Sequence, residues 1–381
     1  MLRQAVFGRI TVVLPNGQRV SHSGSQPGPS AKLVIRRWRA VRRLMFGGDI
    51  AFAQALMDGD WWTPDLLAVL EFGTRNESAL SASTAGSVTT RLLGRFRHWA
   101  RRNTRRGSRR NIAAHYDLGN AFYAQWLDRG MNYSSALFSG EQQSLEVAQD
   151  AKLDRAVALL NLSGGERVLE IGCGWGALTE RMLPQCAVTA ITLSTEQLAY
   201  AQQRVSGTPH AARADLRLQD YRDVAGSYDR IVSIEMIEAV GERYWPVYFG
   251  KLNALLTDGG TAVLQAITID EGRFAGYRNQ PDFIQRYIFP GGILPTVDII
   301  RREAERAGLE LVAHEPFGQS YARTLELWRE RFLLSWPAIR QLGFDISFKR
   351  MWEYYLCYCE VGFRHGAIDV GFFKLVKPGA S

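Results

Sequence analysis

The sequence predicts a doubly wound α/β domain, with a parallel sheet covered by helices on both faces, following a smaller mixed domain. Three observations carry this expectation. From about residue 111 onward, apolar strand-like runs alternate with helix-like segments. One of those strands, at 167–171, runs into the glycine-rich turn Gly172-x-Gly174-x-Gly176. The chain of 381 residues is 46% apolar and 22% charged, which supplies material for packed cores and excludes a disordered polymer.

Taken in order, a strand at 10–14 meets the turn Pro15-Asn16-Gly17, a hairpin signal. Residues 32–46 then mix Leu33, Val34, Trp38, Val41 and Met45 with basic side chains. Two helix-like pieces follow, broken at Gly59 and Pro64. From Gly73 to Thr90 the chain is rich in Ser, Thr and Gly and reads as a linker, continued by an arginine tract. The expected organisation is a small domain over 1–73, a linker over 74–110 and the α/β domain over 111–381. Within the last, strands are expected at 167–171, 188–191, 216–218, 230–234, 261–269 and 369–376. Helices are expected at 177–183 and 196–205.

Charge is informative by location. Arg91, Arg95, Arg97, Arg101, Arg102, Arg105, Arg106, Arg109 and Arg110 fall in one stretch without an acid, and these nine exceed the whole chain's net charge of +8. Such a patch suits a phosphate-rich partner, either an anionic bilayer or a nucleic acid, or else serves as a solvated linker. Only Phe96 and Trp99 are interleaved as stacking aromatics, which weighs against nucleic acid. No apolar run approaches a membrane-spanning length, and no cleavable apolar block opens the chain. Four cysteines, Cys173, Cys186, Cys357 and Cys359, make neither a disulfide scaffold nor a zinc pair and point to a reducing cytoplasm. No metal-binding constellation is expected.

The glycine turn lies where ligands of open parallel sheets bind, and its glycines let a ligand approach the backbone. Its G-x-G-x-G spacing misses the dinucleotide pattern G-x-G-x-x-G, and no phosphate loop occurs in the chain. With Glu170 the turn reads E-x-G-x-G-x-G, which resembles motif I of the S-adenosylmethionine-dependent methyltransferases, with a dinucleotide site and a purely structural turn as the alternatives.

Ten segments in fixed order narrow the choice. They are HYDLGNAFY (115–123), MNYSSALF (131–138), AKLD (151–154), VLEIGCGWG (168–176), ITLSTEQ (191–197), LQDYRD (218–223), SIEMIEAVG (233–241), YIFPGGILP (287–295), SYARTLELW (320–328) and YYLCYCEVGFR (354–364). From about residue 110 to the C-terminus the chain resembles the cyclopropane-fatty-acyl-phospholipid synthases and mycolic acid cyclopropane synthases. More loosely, GGDIAFAQALMDGDWWTPDL resembles the N-terminal domain of the longer bacterial members.

The resemblance implies a Rossmann-like class I methyltransferase fold and transfer of the S-adenosylmethionine methyl group to a cis double bond of an unsaturated phospholipid acyl chain. It also implies ring closure after a bound bicarbonate takes a proton. Cofactor contacts would be Tyr133, Ser134, Gly172, Gly174, Thr192, Leu193, Gln197, Asp220 and Tyr221. Thr192, Leu193 and Gln197 replace the acid that commonly holds the ribose at the end of the second strand. The bicarbonate cradle would comprise Ser134-Ser135, Glu238, the Gln265-Ala266-Ile267 stretch and Tyr321. Tyr116 would face the cation, and Glu235 would be structural or lie beside the cofactor. A carboxylate next to an anion is repulsive, so Glu238 fits only if one proton is shared. The resemblance further suggests a homodimer, and residues 287–295 as a wall of an acyl pocket. The lipid substrate implies peripheral binding at the inner face of the membrane, with Trp61, Trp62 or residues 32–46 as secondary contacts.

Three positions depart from the family pattern. Ser135 stands for a cysteine, Ala239 for a histidine and Gln265 for a histidine. Glutamine donates and accepts hydrogen bonds but carries no proton charge near neutrality. Altered deprotonation would end in a methylene- or methyl-branched chain instead of a ring. A rival class is a small-molecule N-methyltransferase, which needs neither the N-terminal domain nor the arginine tract.

Overall fold

The computed structural model describes residues 2–81, 118–140 and 142–379. The arginine tract and Tyr116 lie outside them. In the N-terminal part, strands β1 (Phe7–Val13), β2 (Arg19–Ser23), β3 (Gln26–Ile35) and β4 (Trp61–Trp62) form a sheet ordered β2-β1-β3-β4. The expected hairpin is present, with β1 antiparallel to β2. The basic stretch expected at 32–46 divides differently. Its first residues complete β3, with Ala31, Leu33 and Ile35 buried, and the remainder enters the helix Trp38–Met57. The chain breaks at Gly59, φ +70°, as expected there.

Asp65 starts the next helix, Leu66–Arg75, by accepting from the Ala68 N–H. The short helix Glu77–Ser81 follows, so the first residues of the expected linker are helical. Trp61 is a further correction. It is 1% exposed and stacks on Phe52 with centroids 4.3 Å apart, which withdraws it from any lipid surface. Val69 and Phe72 join a core that also holds Trp352, Leu356 and Phe363 of the long helix Ile346–Arg364. Arg350 of that helix donates to the Met57 carbonyl at 3.1 Å. The N-terminal sheet is thereby packed onto the far end of the chain.

The second sheet has seven strands: β5 (Arg167–Ile171), β6 (Ala187–Thr192), β7 (Ala214–Leu218), β8 (Tyr228–Ile234), β9 (Leu256–Ile269), β10 (Glu310–Pro316) and β11 (Ile368–Val376). Their order is β10-β11-β9-β8-β5-β6-β7. The contacts among β5 to β9 are parallel, while β11 is antiparallel to both β9 and β10. Strand β10 escapes a sequence reading because it is an edge strand with a mostly half-exposed pattern. The winding reverses between β5 and β8, so a crevice opens at their carboxyl ends. Gly172–Gly176 and Glu235 follow those two ends. No described helix is long and apolar enough to cross a membrane.

Candidate active site

At the end of β5, the backbone turns through Gly172, Gly174 and Gly176, all at positive φ. A side chain at 176 would meet Ala201 of the neighbouring helix at 3.0 Å. At 174 no described residue lies within 4 Å of where a Cβ would stand, so among the described residues this turn faces open space at the sheet's switch point. Glu170, the acid of the E-x-G-x-G pattern, is buried and accepts from Thr179 Oγ1. Burial raises its carboxyl to about 7.

The second strand ends in a neutral pair. Thr192 Oγ1 donates to Gln197 Oε1 at 3.0 Å, and Ser194 Oγ caps the helix Thr195–Ser206 through the Gln197 N–H. Leu193 is half-buried between them. Beyond β7, the Asp220 carboxylate pairs with the Arg222 guanidinium at 2.6 Å and is 2% exposed. Tyr221 packs edge-on against Tyr248. Asp220 is thus already held by its own neighbour, and Tyr221 is the more open of the two.

Residues 133–138 cross above the sheet, strung between two helices. From Leu145–Leu160, Gln149 Nε2 donates to the Ser134 carbonyl and Lys152 Nζ to Ser134 Oγ, at 2.9 and 2.8 Å. From Gly318–Leu334, Thr324 Oγ1 accepts from the Ala136 N–H and Ser320 Oγ from the Phe138 N–H. Lys152 is fully buried, and desolvation pulls its ammonium down to about 8 against the opposing pull of Glu235, Asp128 and Glu170. Tyr133 hydrogen-bonds Tyr355 at 2.9 Å through the hydroxyls and lies among the rings of Tyr123, Trp126, Phe289 and Trp328. That aromatic wall is apolar, polarisable and suited to a neighbouring cation.

The carboxylates are arranged differently from expectation. Glu235, not Glu238, is the hub. Its Oε1 accepts from the Ser135 N–H at 2.8 Å and from Gln265 Nε2 at 2.7 Å, while its Oε2 accepts from the Tyr321 hydroxyl at 2.7 Å. Among the described residues, Glu238 accepts from the Ile267 N–H, at 2.6 Å, and its second oxygen is buried without a partner. Burial, reinforced by Glu235, raises Glu238 to about 8, so the protonated form dominates at pH 7. Burial also raises Glu235, against the lowering pull of its three donors and Lys152.

Of the residues expected to share a site, Ser135, Gln265 and Tyr321 are brought together around Glu235, with Ile267 and Glu238 adjoining, while Ser134 is held by Gln149 and Lys152. Lys152, Gln149 and Thr324 carry the loop and had no role assigned from sequence. A lysine at a core position of an amphipathic helix was the available signal for the first. No described group of three or more His, Cys, Asp or Glu could hold a metal ion.

A seven-stranded sheet in this order, with a glycine turn at its switch point, is the fold of a class I S-adenosylmethionine-dependent methyltransferase. The chain belongs to the mycolic acid cyclopropane synthetase family, which residues 103–373 match. It is 40% identical over 378 residues to a tuberculostearic acid methyltransferase of Mycobacterium tuberculosis, covering 94% of this chain and 86% of that protein. It is 34% identical over 379 residues to the cyclopropane-fatty-acyl-phospholipid synthase of Escherichia coli, covering 97% and 92%. Among solved structures, a mycolic acid cyclopropane synthase complexed with SAH and CTAB aligns at 31% identity and a TM-score of 0.67, over 71% of this chain and 98% of that one. A coclaurine N-methyltransferase aligns at 18% identity and a TM-score of 0.66, over 85% of this chain and 98% of that one, a likeness of fold alone. The protein is an S-adenosylmethionine-dependent methyltransferase.

Proposed function

We propose that the protein methylates a cis double bond in an unsaturated acyl chain of a membrane phospholipid, and that the resulting cation closes to a cyclopropane. The observation that carries this reading is the juxtaposition of an open glycine turn, an aromatic wall and a buried carboxylate at one crevice. S-adenosylmethionine, when bound, supplies an electrophilic methyl group. Gly172 and Gly174 leave room for it, the Thr192–Gln197 pair offers neutral hydrogen-bonding groups to a ribose, and Leu193 and Tyr221 offer apolar faces to an adenine. Tyr133 and Ser134 close the opposite side. An alkene is a weak nucleophile, so positioning and exclusion of water dominate the rate. The rings around Tyr133 would hold water away and face the cation, a task the resemblance also gives to Tyr116.

Bicarbonate does not fit the residues present. Of the residues assigned to it, the Ser135 N–H, Gln265 Nε2 and the Tyr321 hydroxyl are hydrogen-bonded to Glu235, the Ile267 N–H to Glu238, and Ser134 Oγ to Lys152. A second reading keeps the same methyl transfer and ends in a methylene- or methyl-branched chain. It is favoured by that occupied cradle and by the relative that is 40% identical and named a tuberculostearic acid methyltransferase.

Mass spectrometry of lipids from cells expressing the protein, fed labelled methionine, tests both. Gain of one labelled CH2 supports methylation, hydrogenation of the extract separates a ring from a methylene branch, and unlabelled lipids would refute the function. The cofactor assignment is tested by Gly174→Val. At φ +52° the branched side chain is strained and enters the open space, so S-adenosylmethionine affinity by calorimetry should fall at least about tenfold. Unchanged affinity would move the cofactor elsewhere. We assign peripheral attachment at the cytoplasmic membrane face to Arg91–Arg110. Neutralising five of these arginines should abolish salt-sensitive sedimentation with anionic vesicles, and unchanged sedimentation would remove that role.

A further inference from the structure

We propose that the Glu235 carboxylate is itself the base of this site, built into the position that a free oxyanion would need, so that the enzyme works without bicarbonate. The inference rests on the methylation reading above and adds to it the identity of the proton acceptor.

Three donors from three separate elements converge on this one side chain. The Ser135 N–H comes from the loop over the sheet, Gln265 from β9, and Tyr321 from the helix Gly318–Leu334. None of these partners is a cation. Lys152, whose charge acts on Glu235, hydrogen-bonds Ser134 Oγ instead. Such a cage is shaped for an oxyanion, with neutral donors placed around two carboxylate oxygens.

The backbone supports a built placement. Glu235 directly follows β8 at φ +47°, a left-handed conformation that a non-glycine residue rarely adopts. Its N–H still donates to the Gln265 carbonyl at 2.7 Å, which ties the turn to β9. The strained turn aims the carboxylate into the cage, and the next residue, Met236, lies against Gly172, where a built Cβ would stand 3.3 Å from its Cγ. The carboxylate and the glycine turn therefore border one crevice. Neighbouring Glu238 does not duplicate the base, because the three donors of the cage do not reach it: it accepts from the Ile267 N–H, and its second oxygen is buried with no hydrogen bond among the described residues. Burial keeps Glu235 basic, while its three donors stabilise the ionised form.

The step balances without a further reactant. The alkene π pair forms the new C–C bond to the methyl group, and the S–CH3 bonding pair leaves with sulfur. The adjacent carbon becomes cationic. A C–H bond of the added methyl group then gives its electron pair to carbon, closing the ring. In the branched outcome a hydride first shifts onto the cationic carbon, and that pair forms a methylene instead. In either case the proton passes to Glu235, which later releases it to solvent.

Purified protein assayed with S-adenosylmethionine and dioleoylphosphatidylglycerol vesicles tests this. In buffer stripped of carbon dioxide, wild-type turnover should equal that in millimolar bicarbonate, and NMR of isotope-labelled bicarbonate should show no binding. Glu235→Gln should lose at least about 100-fold in turnover while retaining S-adenosylmethionine affinity. Glu235→Gly suits the left-handed turn, so it keeps the fold and opens the cage. It should bind labelled bicarbonate, and its turnover should rise when bicarbonate is added. A wild-type enzyme that binds bicarbonate or slows on its removal would overturn the proposal, as would full turnover of Glu235→Gln in stripped buffer. If wild type methylates no lipid in any buffer, the substrate reading fails, while bicarbonate binding to wild type and Glu235→Gly still decides who occupies the cage.

Discussion

At pH 9, Glu238→Gln should melt at a higher temperature than the wild type, and the advantage should shrink steadily as the pH falls to 5. Glu238 titrates at about 8 in the folded chain against an ordinary 4.5, because it is buried beside Glu235. Between those two values the folded state keeps a proton that the unfolded chain has released. Stability contributed at this position is therefore complete below the ordinary carboxyl range and declines as pH rises toward 8. At about 1.4 kcal/mol per pKa unit, the loss at high pH amounts to a few kcal/mol. Glutamine copies the neutral carboxyl, preserves an oxygen for the Ile267 N–H and never ionises, so it escapes the decline. Thermal melts of both proteins at pH 5, 7 and 9 check this. Curves that run parallel across that range would show that Glu238 is ionised throughout. At pH 7 the same variant should retain methyl transfer within about threefold, since the donors of the cage converge on Glu235 and not on Glu238.

Lys152→Met should shift the acid limb of the pH–rate profile upward by about one unit and lower turnover at pH 7 by up to about tenfold. Lys152 is the buried cation that favours the ionised form of Glu235, and it also acts on Glu170 and Asp128. Methionine fills similar volume without the charge. Glu235 then holds its proton to higher pH, so raising the pH should recover much of the lost rate. The result would also separate two roles of the lysine. If it only props the loop through Ser134 Oγ, turnover falls equally at every pH and the limb stays where it was.

Much of the fold was legible in the chain. The strand at 167–171 and its glycine turn are local features, with apolar residues buried on both faces and glycines that need no tertiary partner to adopt positive φ. The breaks at Gly59 and before Leu66 were equally local. The basic stretch at 32–46 was misleading because its strand portion, Lys32 to Ile35, belongs to a period-two pattern running from upstream, while its helix begins only at Trp38. Strand β10 gave too weak a signal to read, since it is an edge strand with no buried residue, held by pairing with β11.

The site divides in the same way. The sequence by itself determined the methyltransferase fold, the glycine turn and the set of polar groups at the crevice, because each sits in a contiguous motif whose chemistry is carried by residue type. Only the tertiary structure decided which of two glutamates, three positions apart, receives the donors. That choice depends on the left-handed turn at Glu235 and on the meeting of Ser135, Gln265 and Tyr321, which lie 30 to 100 residues away along the chain. Hydrogen bonds over such separations are set by how the loop, β9 and the Gly318–Leu334 helix pack, and no local pattern of residues encodes that packing.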